Sequence, residues 1–294
     1  MPGSTLHEHP DAGRDGLRRV LVDGAPMLVV ARGGELHPVD GSLATLLGVG
    51  RERLHEAVDR ALQRPPLTAP APLLAPVDEQ EVWASGVTYR RSATARVGES
   101  SVGDVYELVY EAQRPELFLK APAWRVGAPG APLRIRADST WDVPEPELAL
   151  VMDARGEIVG YLAADDLSSR SIEGANPLYL PQAKIYDDSL GLSGTIVLAR
   201  DAPDPSSATI ELEIHRGGER LFAGDTSVNE MKRGFDELVS ALYLELSFPA
   251  GVVLLTGTGV VPPDEFTLQD GDRVRIAVEG VGVLEHDIYR RETA

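Results

Sequence analysis

Short apolar runs separated by turn residues dominate this chain, and they predict more strands than helices. Residues 17–40 hold two such runs, punctuated by Asp23-Gly24 and Gly33-Gly34. Nine further runs are expected to form strands, at residues 82–87, 133–136, 148–152, 158–164, 195–198, 209–215, 252–256, 273–278 and 283–288. Because the strands do not alternate regularly with helices, we expect an α+β fold that is mostly β, not a doubly wound parallel sheet.

Two segments carry the 3.6-residue apolar period of an amphipathic helix. One has Leu54, Ala57, Val58, Ala61 and Leu62 on a single face, and Ser42 is placed to cap a short helix before it. The other begins at a capping box formed by Ser227 and Glu230. Its apolar stripe is expected to comprise Met231, Phe235, Leu238, Val239, Leu242 and Leu246. The pattern therefore predicts one long helix that starts near residue 227.

A proline-rich stretch divides the chain. Residues 65–78 read PPLTAPAPLLAPVD, and prolines fix φ and remove backbone donors, which favours an extended linker. We predict a small N-terminal α+β domain at residues 1–64, with 1–16 flexible, and a catalytic domain at residues 79–294. The smaller domain has too few residues for a large core of its own, so we expect it to pack on the rest or to contribute to oligomer contacts.

The charge and composition exclude several function classes. A formal net charge of -18 repels phosphates, so nucleic acid is an unfavourable partner. There is no cysteine, which excludes disulfides and thiolate chemistry and fits a cytoplasmic home. No apolar run approaches the ~20 residues that span a bilayer, and no Gly-rich phosphate loop links a strand to a helix. We expect a cytoplasmic protein that does not bind membranes.

Two glutamates at the mouth of an apolar strand are the most informative polar feature. Glu145 and Glu147 are two residues apart, so in an extended chain both side chains point to one face. Like charges repel there unless a cation lies between them. The next strand ends at Asp166, which an antiparallel neighbour would bring beside the glutamates. Three carboxylates with open positions suit Mg²⁺, with Mn²⁺ or Ca²⁺ as alternatives. A solvated acidic rim is the other interpretation.

Several further motifs follow the two glutamates in a fixed order. They are Asp166-Leu167-Ser168-Ser169-Arg170, Ala183-Lys184-Ile185-Tyr186-Asp187, Leu255-Thr256-Gly257-Thr258-Gly259 and Gly271-Asp272-Arg273-Val274. Together they resemble the fumarylacetoacetate hydrolase superfamily, whose pattern is E-x-E, N-D-V-S-x-R, K-x-x-D, T-G-T-P and G-D-x-V. The resemblance runs from about residue 82 to 288. It implies a catalytic domain that is a mixed β-sandwich or β-roll.

Within the superfamily the chain is more similar to the branch that dehydrates 2-keto-3-deoxy sugar acids such as 2-keto-3-deoxy-D-arabinonate. Segments 114–120, 143–147, 171–174 and 176–184 carry that likeness. It implies a hydro-lyase of pentose and sugar acid catabolism that forms 2-oxoglutarate semialdehyde through a metal-stabilised enolate. The resemblance also implies that Glu145, Glu147 and Asp166 hold the metal.

The resemblance points to two catalytic side chains. Lys184 is expected either to take the C3 proton of the substrate or, when protonated, to stabilise the enolate, and both roles stay open. Glu116 is expected to assist departure of the C4 hydroxyl. Lys120 is expected to support the site from a strand.

Seven further residues are expected to contact or orient the substrate. The glycine-rich turn would offer hydroxyl and N–H donors, two arginines would clamp the anion, a tyrosine would line the pocket and an aspartate would pair with Lys184. In that order they are Thr256, Gly257, Thr258, Arg90, Arg170, Tyr89 and Asp187. A plain structural role is the alternative for Arg170 and for Tyr89.

One departure from the superfamily pattern helps to choose the reaction. Hydrolases and decarboxylases of the superfamily carry a lid segment N-Y-x-x-H-x-x-E that activates water. In the matching residues 88–95, Ser92 replaces the histidine and Ala95 the glutamate, so that base is missing. Hydrolysis of an acylpyruvate or decarboxylation of oxaloacetate is therefore the second hypothesis. Binding of a 2-keto acid without turnover is the third. All three take a small-molecule partner, and the resemblance also implies a homo-oligomer, dimer or tetramer.

Overall fold

Strands outnumber helices along the chain, as the short apolar runs predict. The computed structural model describes residues 10–11, 13–69, 71–90 and 104–291. Its strands are β1 (Gly16–Val22), β2 (Ala25–Arg32), β3 (Glu35–Pro38), β4 (Glu81–Gly86), β5 (Glu116–Ala121), β6 (Leu133–Ile135), β7 (Asp142–Val143), β8 (Pro146–Met152), β9 (Ile158–Asp166), β10 (Ser168–Ser169), β11 (Leu190–Leu192), β12 (Val197–Leu198), β13 (Thr209–Arg216), β14 (Glu219–Ser227), β15 (Val252–Leu255), β16 (Arg273–Val278) and β17 (Gly282–Arg290). The helices are α1 (Leu43–Val49), α2 (Arg51–Ala61), α3 (Asp104–Glu111), α4 (Arg170–Ala175), α5 (Leu180–Lys184) and α6 (Phe235–Tyr243). The predicted α+β class with a predominance of strands is confirmed.

The strands form four sheets. The large sheet has the order β11-β9-β8-β15-β4-β5, with β12 also paired to β9. A five-stranded sheet has the order β14-β13-β16-β17-β6, and β1-β2-β3 and β7-β10 form two small sheets. The parallel pairs among the described strands are β15 with β4 and β17 with β6. The expected mixed sheets are therefore present, and the five-stranded sheet packs on the large one.

Both faces of the large sheet are buried, which explains why its central strands are continuous apolar runs. One face packs on α1 and α2 and forms the helix-side core, with members Leu47, Leu54, Val58, Ala149, Val151 and Leu255. The other face packs on the five-stranded sheet and α6 and forms the sheet-side core, with members Leu148, Leu150, Leu254, Ile210, Leu212 and Ile276. Successive residues of β8 alternate between the two cores, as the two-residue period of a strand requires.

The first helices lie against the rest of the chain. Ser42 Oγ accepts a hydrogen bond from Thr45 N, so the expected cap of α1 is present. Asp78 adds a second cap, because its carboxylate accepts from the backbone N–H groups of Leu43 and Ala44 at 3.0 and 3.1 Å. The proline-rich stretch runs beside β1, where Leu21 N donates to Pro72 O. The division into domains at residues 64 and 79 stays a prediction.

The long helix predicted from residue 227 is wrong in its start. Ser227 still belongs to β14, where it pairs with Thr209, and its side chain caps no helix. Residues 228–230 form one 3-10 turn, and Met231 then pairs with Tyr89 as an isolated β-bridge. Helix α6 begins only at Phe235, because residues 231 and 232 first form backbone contacts with residues 88 and 89. The sequence also did not reveal α3, β5 or β14, and the predicted strand 195–198 is only Val197–Leu198.

No helix in the described ranges is both long and apolar enough to cross a bilayer.

Asp142 is a buried carboxyl that makes stability depend on pH. Its side chain is fully buried 3.5 Å from Arg290 Nη2, and burial raises its pKa to about 6. The unfolded chain loses this proton near pH 4, so between pH 4 and 6 the folded state binds more protons and stability falls as pH rises. Asp142→Asn should therefore gain stability over wild type across this window, by up to about 3 kcal/mol above pH 6.

Urea unfolding midpoints of both proteins between pH 4 and 7.5 measure this difference. Asp138→Asn is the control, because Asp138 is exposed and the neighbouring Arg136 lowers its pKa. Midpoints for Asp142→Asn that stay parallel to wild type across the window would contradict the expectation.

Candidate active site

Strand pairing brings three acidic side chains together where β8 begins and β9 ends, in the interior of the large sheet. In the β8–β9 ladder Glu147 lies opposite Ala164, and Asp166 N donates to Glu145 O at 3.0 Å. Because side chains alternate, Glu145, Glu147 and Asp166 all project on the helix-side face. One oxygen from each lies within 4.8 Å of the others, and the side chains are 1–2 % exposed. The expected meeting of the three carboxylates is therefore present.

Buried cations surround two of these carboxylates. Lys184 Nζ, at the end of α5, donates to Glu145 Oε2 at 2.7 Å and to Asp166 Oδ2 at 3.1 Å. Arg170, the first residue of α4, donates to Glu145 Oε1 from Nη2 at 3.0 Å. Lys120 Nζ lies 2.6 Å from Asp166 Oδ1. These are charge-assisted contacts inside the protein, where they fix the carboxylates in place.

Glu147 differs from its two neighbours. Its Oε2 accepts from the backbone N–H of Gly257, and none of the described lysines, arginines or histidines forms an ion pair with it. Burial, together with the charges of Asp166 and Glu145, raises its pKa well above the usual range. A buried carboxylate without a cation is costly. The site therefore fits a divalent cation held by one oxygen from each of the three carboxylates, with further positions left open.

Glu116 lies on the same face of the sheet as the acidic cluster. It opens β5 opposite Gly86, and its carboxylate rests over that glycine, since a Cβ at Gly86 would come 2.1 Å from Glu116 Oε2. Phe118, two residues on and on the same face, has its ring centre 6.0 Å from Lys184 Nζ. Glu116 is half-buried, so its carboxylate lies between the interior and the surface.

Lys120 holds Lys184 as well as Asp166. It is fully buried, and its Nζ donates to the carbonyl oxygens of Lys184 at 2.6 Å and Leu167 at 3.1 Å. Burial lowers the pKa of Lys120. Because β5 is the edge strand and β9 lies several strands away, this contact also shows that the large sheet curls around the cluster. The expected supporting role of Lys120 agrees with these contacts.

Asp165 and His286 support the cluster from the opposite face of the large sheet, on the side of the sheet-side core. Asp165 Oδ1 accepts from Glu145 N at 2.9 Å, and its Oδ2 lies 2.9 Å from His286 Nε2 on β17. Asp165 points to the opposite face from Asp166, so it steadies the backbone of Glu145 without joining the cluster. Sequence reasoning missed this pair. The doubled Asp165-Asp166 was the available signal, because adjacent residues of a strand face opposite sides.

The glycine-rich turn follows β15 at the same end of the large sheet, and its two threonine hydroxyl groups already donate hydrogen bonds within the protein. Thr256 Oγ1 donates to Leu148 O at 2.8 Å, and Thr258 Oγ1 donates to Val260 O at 3.0 Å. Gly257 has φ +95°, and a Cβ there would lie 2.0 Å from Thr88 Oγ1, so only glycine fits. The turn therefore contacts the acidic cluster through its backbone, where Gly257 N donates to Glu147.

The remaining predicted substrate contacts fall in two places. Tyr89 is 1 % exposed, and its hydroxyl has no hydrogen-bond partner among the described residues. Burial, followed by the charge of Glu147, raises the pKa of Tyr89. Arg90 is exposed and pairs with Glu107 of α3 at 3.1 Å. The expected pairing of Asp187 with Lys184 is wrong: Asp187 is exposed and lies 3.4 Å from Arg125, because α5 turns Lys184 inward. Ser92 and Ala95 lie outside the described residues.

Comparison with known proteins identifies relatives that share most of this chain. The family model described as fumarylacetoacetate (FAA) hydrolase C-terminal matches residues 81–289. A probable 2-keto-3-deoxyxylonate dehydratase of Haloferax volcanii is 49% identical over 213 residues, which are 72% of this chain and 73% of that protein. A 2-dehydro-3-deoxy-D-arabinonate dehydratase of Saccharolobus solfataricus is 40% identical over 221 residues, 74% of each chain.

A solved structure resembles the whole fold. It is that of 2-keto-3-deoxy-D-arabinonate dehydratase complexed with magnesium and 2,5-dioxopentanoate. It superimposes with a TM-score of 0.80 at 32% identity and covers 94% of this chain and 99% of the other.

Proposed function

Because the chain belongs to the fumarylacetoacetate hydrolase family, we propose that it is a magnesium-dependent dehydratase that removes water from a 2-keto-3-deoxy sugar acid. The observation that carries this proposal is the buried trio Glu145, Glu147 and Asp166 beside Lys184. The named activities of the two dehydratase relatives support the choice of reaction. The product expected from a five-carbon substrate is 2-oxoglutarate semialdehyde, another name for 2,5-dioxopentanoate.

Charge explains how the site would receive a 2-keto acid. Three buried carboxylates face three buried cations, Lys120, Lys184 and Arg170. Glu145, Glu147 and Asp166 would hold Mg²⁺, which would make the cluster net positive and would supply Lewis-acid stabilisation for negative charge on a 2-keto oxygen. Of the three carboxylates, Glu147 is the one that forms no ion pair with a described lysine, arginine or histidine, and this supports binding of the ion here.

Lys184 and Glu116 are our candidates for the proton transfers. Lys184 Nζ lies at the cluster, where C3 of a substrate chelated through its carboxylate and keto oxygen would follow. Glu116 lies on the same face beyond Phe118, on the side where C4 and C5 would extend. Lys184 would take the C3 proton, or stabilise the enolate as an ammonium, and Glu116 would give a proton to the departing C4 hydroxyl.

The product needs further proton shifts. When water has left C4, the remaining chain has a double bond between C3 and C4 and a hydroxyl on C5. For C5 to become an aldehyde, one proton must leave the C5 carbon and one must return to C3, which leaves an enol across C4 and C5. The hydroxyl proton of this enol then leaves the oxygen and C4 takes up a proton, which gives the aldehyde. Glu116, now a carboxylate beside C5, would take the proton from the C5 carbon, and Lys184 would return the one to C3. Both groups then recover their starting state, and the only loss from the substrate is one molecule of water.

The substrate contacts are proposed from the same arrangement. The backbone of Thr256, Gly257 and Thr258 borders Glu147. The hydroxyl of Tyr89, which has no partner in the described part of the chain, would be available for a substrate oxygen. Arg170 is bound to Glu145, so it acts on the substrate through that carboxylate or through its positive field. Arg90 would reach the substrate only by leaving its ion pairs with Glu107 and Glu111. Asp187 lies on the surface three residues after the end of α5, so it would act on the site only from outside.

The hydrolase and decarboxylase hypothesis gains no support from the described histidines. His286 faces the sheet-side core, bound to Asp165, and His37, His55 and His215 belong to β3, α2 and β13. None of these positions offers a water-activating base at the cluster. A 2-keto-acid-binding protein without turnover would need no Glu116 beside the site.

We also propose that the protein acts in the cytoplasm as a homo-oligomer, a dimer or tetramer. The absence of cysteine is compatible with a reducing compartment. Trp124 and Leu178 are 76% and 84% exposed, and such large apolar side chains on a surface favour a protein contact. Light scattering of the purified protein tests the oligomer.

An activity assay tests the function. We expect the enzyme to convert 2-keto-3-deoxy-D-pentonate to the keto-aldehyde with Mg²⁺, and to lose this activity when a chelator removes the ion. In the D series this substrate retains only the C4 stereocentre, so its arabinonate and xylonate names describe the same molecule. Acetylpyruvate and oxaloacetate serve as parallel substrates. Release of pyruvate from them, with no keto-aldehyde from the pentonate, would contradict the dehydratase proposal.

A further inference from the structure

One arginine binds the end of the helix that precedes Glu116. Arg233 is 5% exposed, and its Nη2 donates to Ala112 O at 2.6 Å and to Val109 O at 3.3 Å. Its Nη1 donates to Gln113 O at 3.4 Å. The last carbonyl groups of a helix have no partners within the helix, and cations stabilise that end. A single guanidinium therefore fixes the last turn of α3 and the two residues after it.

The neighbouring Lys232 ties the same helix end to the large sheet. Its Nζ donates to Tyr110 O and to Glu111 Oε2, both at 2.7 Å. Its backbone N–H donates to Thr88 O at 2.9 Å, two residues beyond the end of β4. Lys232 therefore connects the end of α3 to the residues that follow β4.

This anchoring bears on Glu116 because the connection is short. Residues 112–115 lead from α3 into β5, where Glu116 is the first residue. Its side chain is limited on the other side by Gly86, where the smallest added group would collide with the carboxylate. Arg233 therefore fixes the backbone before Glu116, while Gly86 leaves the space that its carboxylate occupies.

We propose that Arg233 is a positioning residue for Glu116, which it serves without touching the substrate or the metal. This inference rests on the proposed function, in which Glu116 handles the C4 hydroxyl. A catalytic group displaced by about 1 Å costs ~100-fold in rate. The three carboxylates lie on or beside β8 and β9, and Lys120, which contacts Asp166 from β5, lies four residues after Glu116. We therefore expect metal affinity not to depend on Arg233.

A double-mutant cycle tests the inference. Arg233→Ala is expected to lower kcat ~10- to 100-fold and to leave Mg²⁺ affinity, measured by titration calorimetry, within twofold of wild type. Glu116→Gln is expected to lower kcat by itself. Adding Arg233→Ala to it should cause no further loss of kcat, because Arg233 acts on turnover only by positioning the Glu116 carboxyl group. Gly86→Ala, which displaces the same carboxylate from the other side, should show the same coupling.

The controls separate positioning from general damage. Glu237→Gln removes the exposed ion-pair partner of Arg233 but none of its carbonyl contacts, so kcat should stay within twofold of wild type. Arg233→Lys keeps the charge and should recover part of the activity, and it replaces the alanine variant in the cycle if that variant fails to fold.

The two possible failures can be told apart. A wild-type kcat for Glu116→Gln would overturn the role of Glu116 and this inference together. A loss of kcat on Glu116→Gln, followed by an equal further loss when Arg233 is replaced, would overturn only the inference. An Arg233→Ala variant with wild-type kcat would also overturn it.

Discussion

Glu147→Gln is expected to abolish magnesium-dependent turnover by removing the metal. Within the acidic cluster, Glu147 is the carboxylate that forms no ion pair with a described cation, and burial beside Asp166 and Glu145 raises its pKa. Glutamine keeps the shape and one acceptor oxygen, so the hydrogen bond from Gly257 N can persist. It lacks the charge that attracts the ion. Replacing an outer-shell partner weakens metal binding by ~10–100-fold, so loss of a direct ligand should exceed ~100-fold.

Titration calorimetry with Mg²⁺ and turnover measured over a Mg²⁺ series check this expectation. Thermal unfolding gives an independent readout, since Mg²⁺ should raise the midpoint of wild type and not that of the variant. Glu211→Gln, the same substitution at an exposed position of β13, is the matched control. Unchanged Mg²⁺ affinity in Glu147→Gln would place the metal elsewhere.

Replacing Lys184 should have a different signature. Lys184→Ala is expected to lower kcat by ~10²–10⁴-fold, the usual contribution of general acid–base catalysis. The amine contacts Glu145 and Asp166 directly, at 2.7 and 3.1 Å, so its removal takes a positive charge from the metal site. Mg²⁺ affinity should therefore stay the same or rise, in contrast to Glu147→Gln. A fall in kcat together with loss of metal binding would contradict the catalytic assignment.

A second substitution separates the two roles that Lys184 can have. Arginine keeps a positive charge but cannot give up its proton near neutral pH. If Lys184 is the base, Lys184→Arg should be as inactive as Lys184→Ala. If it acts as an electrostatic partner of the enolate, Lys184→Arg should retain substantially more activity. Thermal unfolding of each variant checks that the larger side chain is accommodated.

Much of the candidate site follows from local rules. The spacing of Glu145 and Glu147 places both on one face of a strand, and Asp166 ends the next strand along the chain. An antiparallel ladder between consecutive strands was sufficient to predict that the three would meet. Lys184 and Glu116 were found through motifs of the family and not through any local physical signal. The capping box at Ser227 gave a wrong prediction, because Ser227 is the last residue of β14 and pairs with Thr209.

The contacts that support the cluster had no local signal. Lys120 reaches Asp166 only because the large sheet curls, and His286 reaches Asp165 only because the five-stranded sheet packs behind it. The turn of α5 sends Lys184 inward and leaves Asp187 on the surface, although the two are three residues apart. Arg233 meets the end of α3 across more than a hundred residues of chain.

By itself the sequence determined the predominance of strands, the faces of the acidic residues and the absence of thiol chemistry. These properties depend on side-chain alternation and composition, which act within a few residues. Only the tertiary structure decided which cation each carboxylate meets and which groups hold Glu145 and Glu116 in place. Those contacts depend on which strands and helices become neighbours. That arrangement is set by the hydrophobic free energy of burying both faces of the large sheet, to which residues along the whole chain contribute.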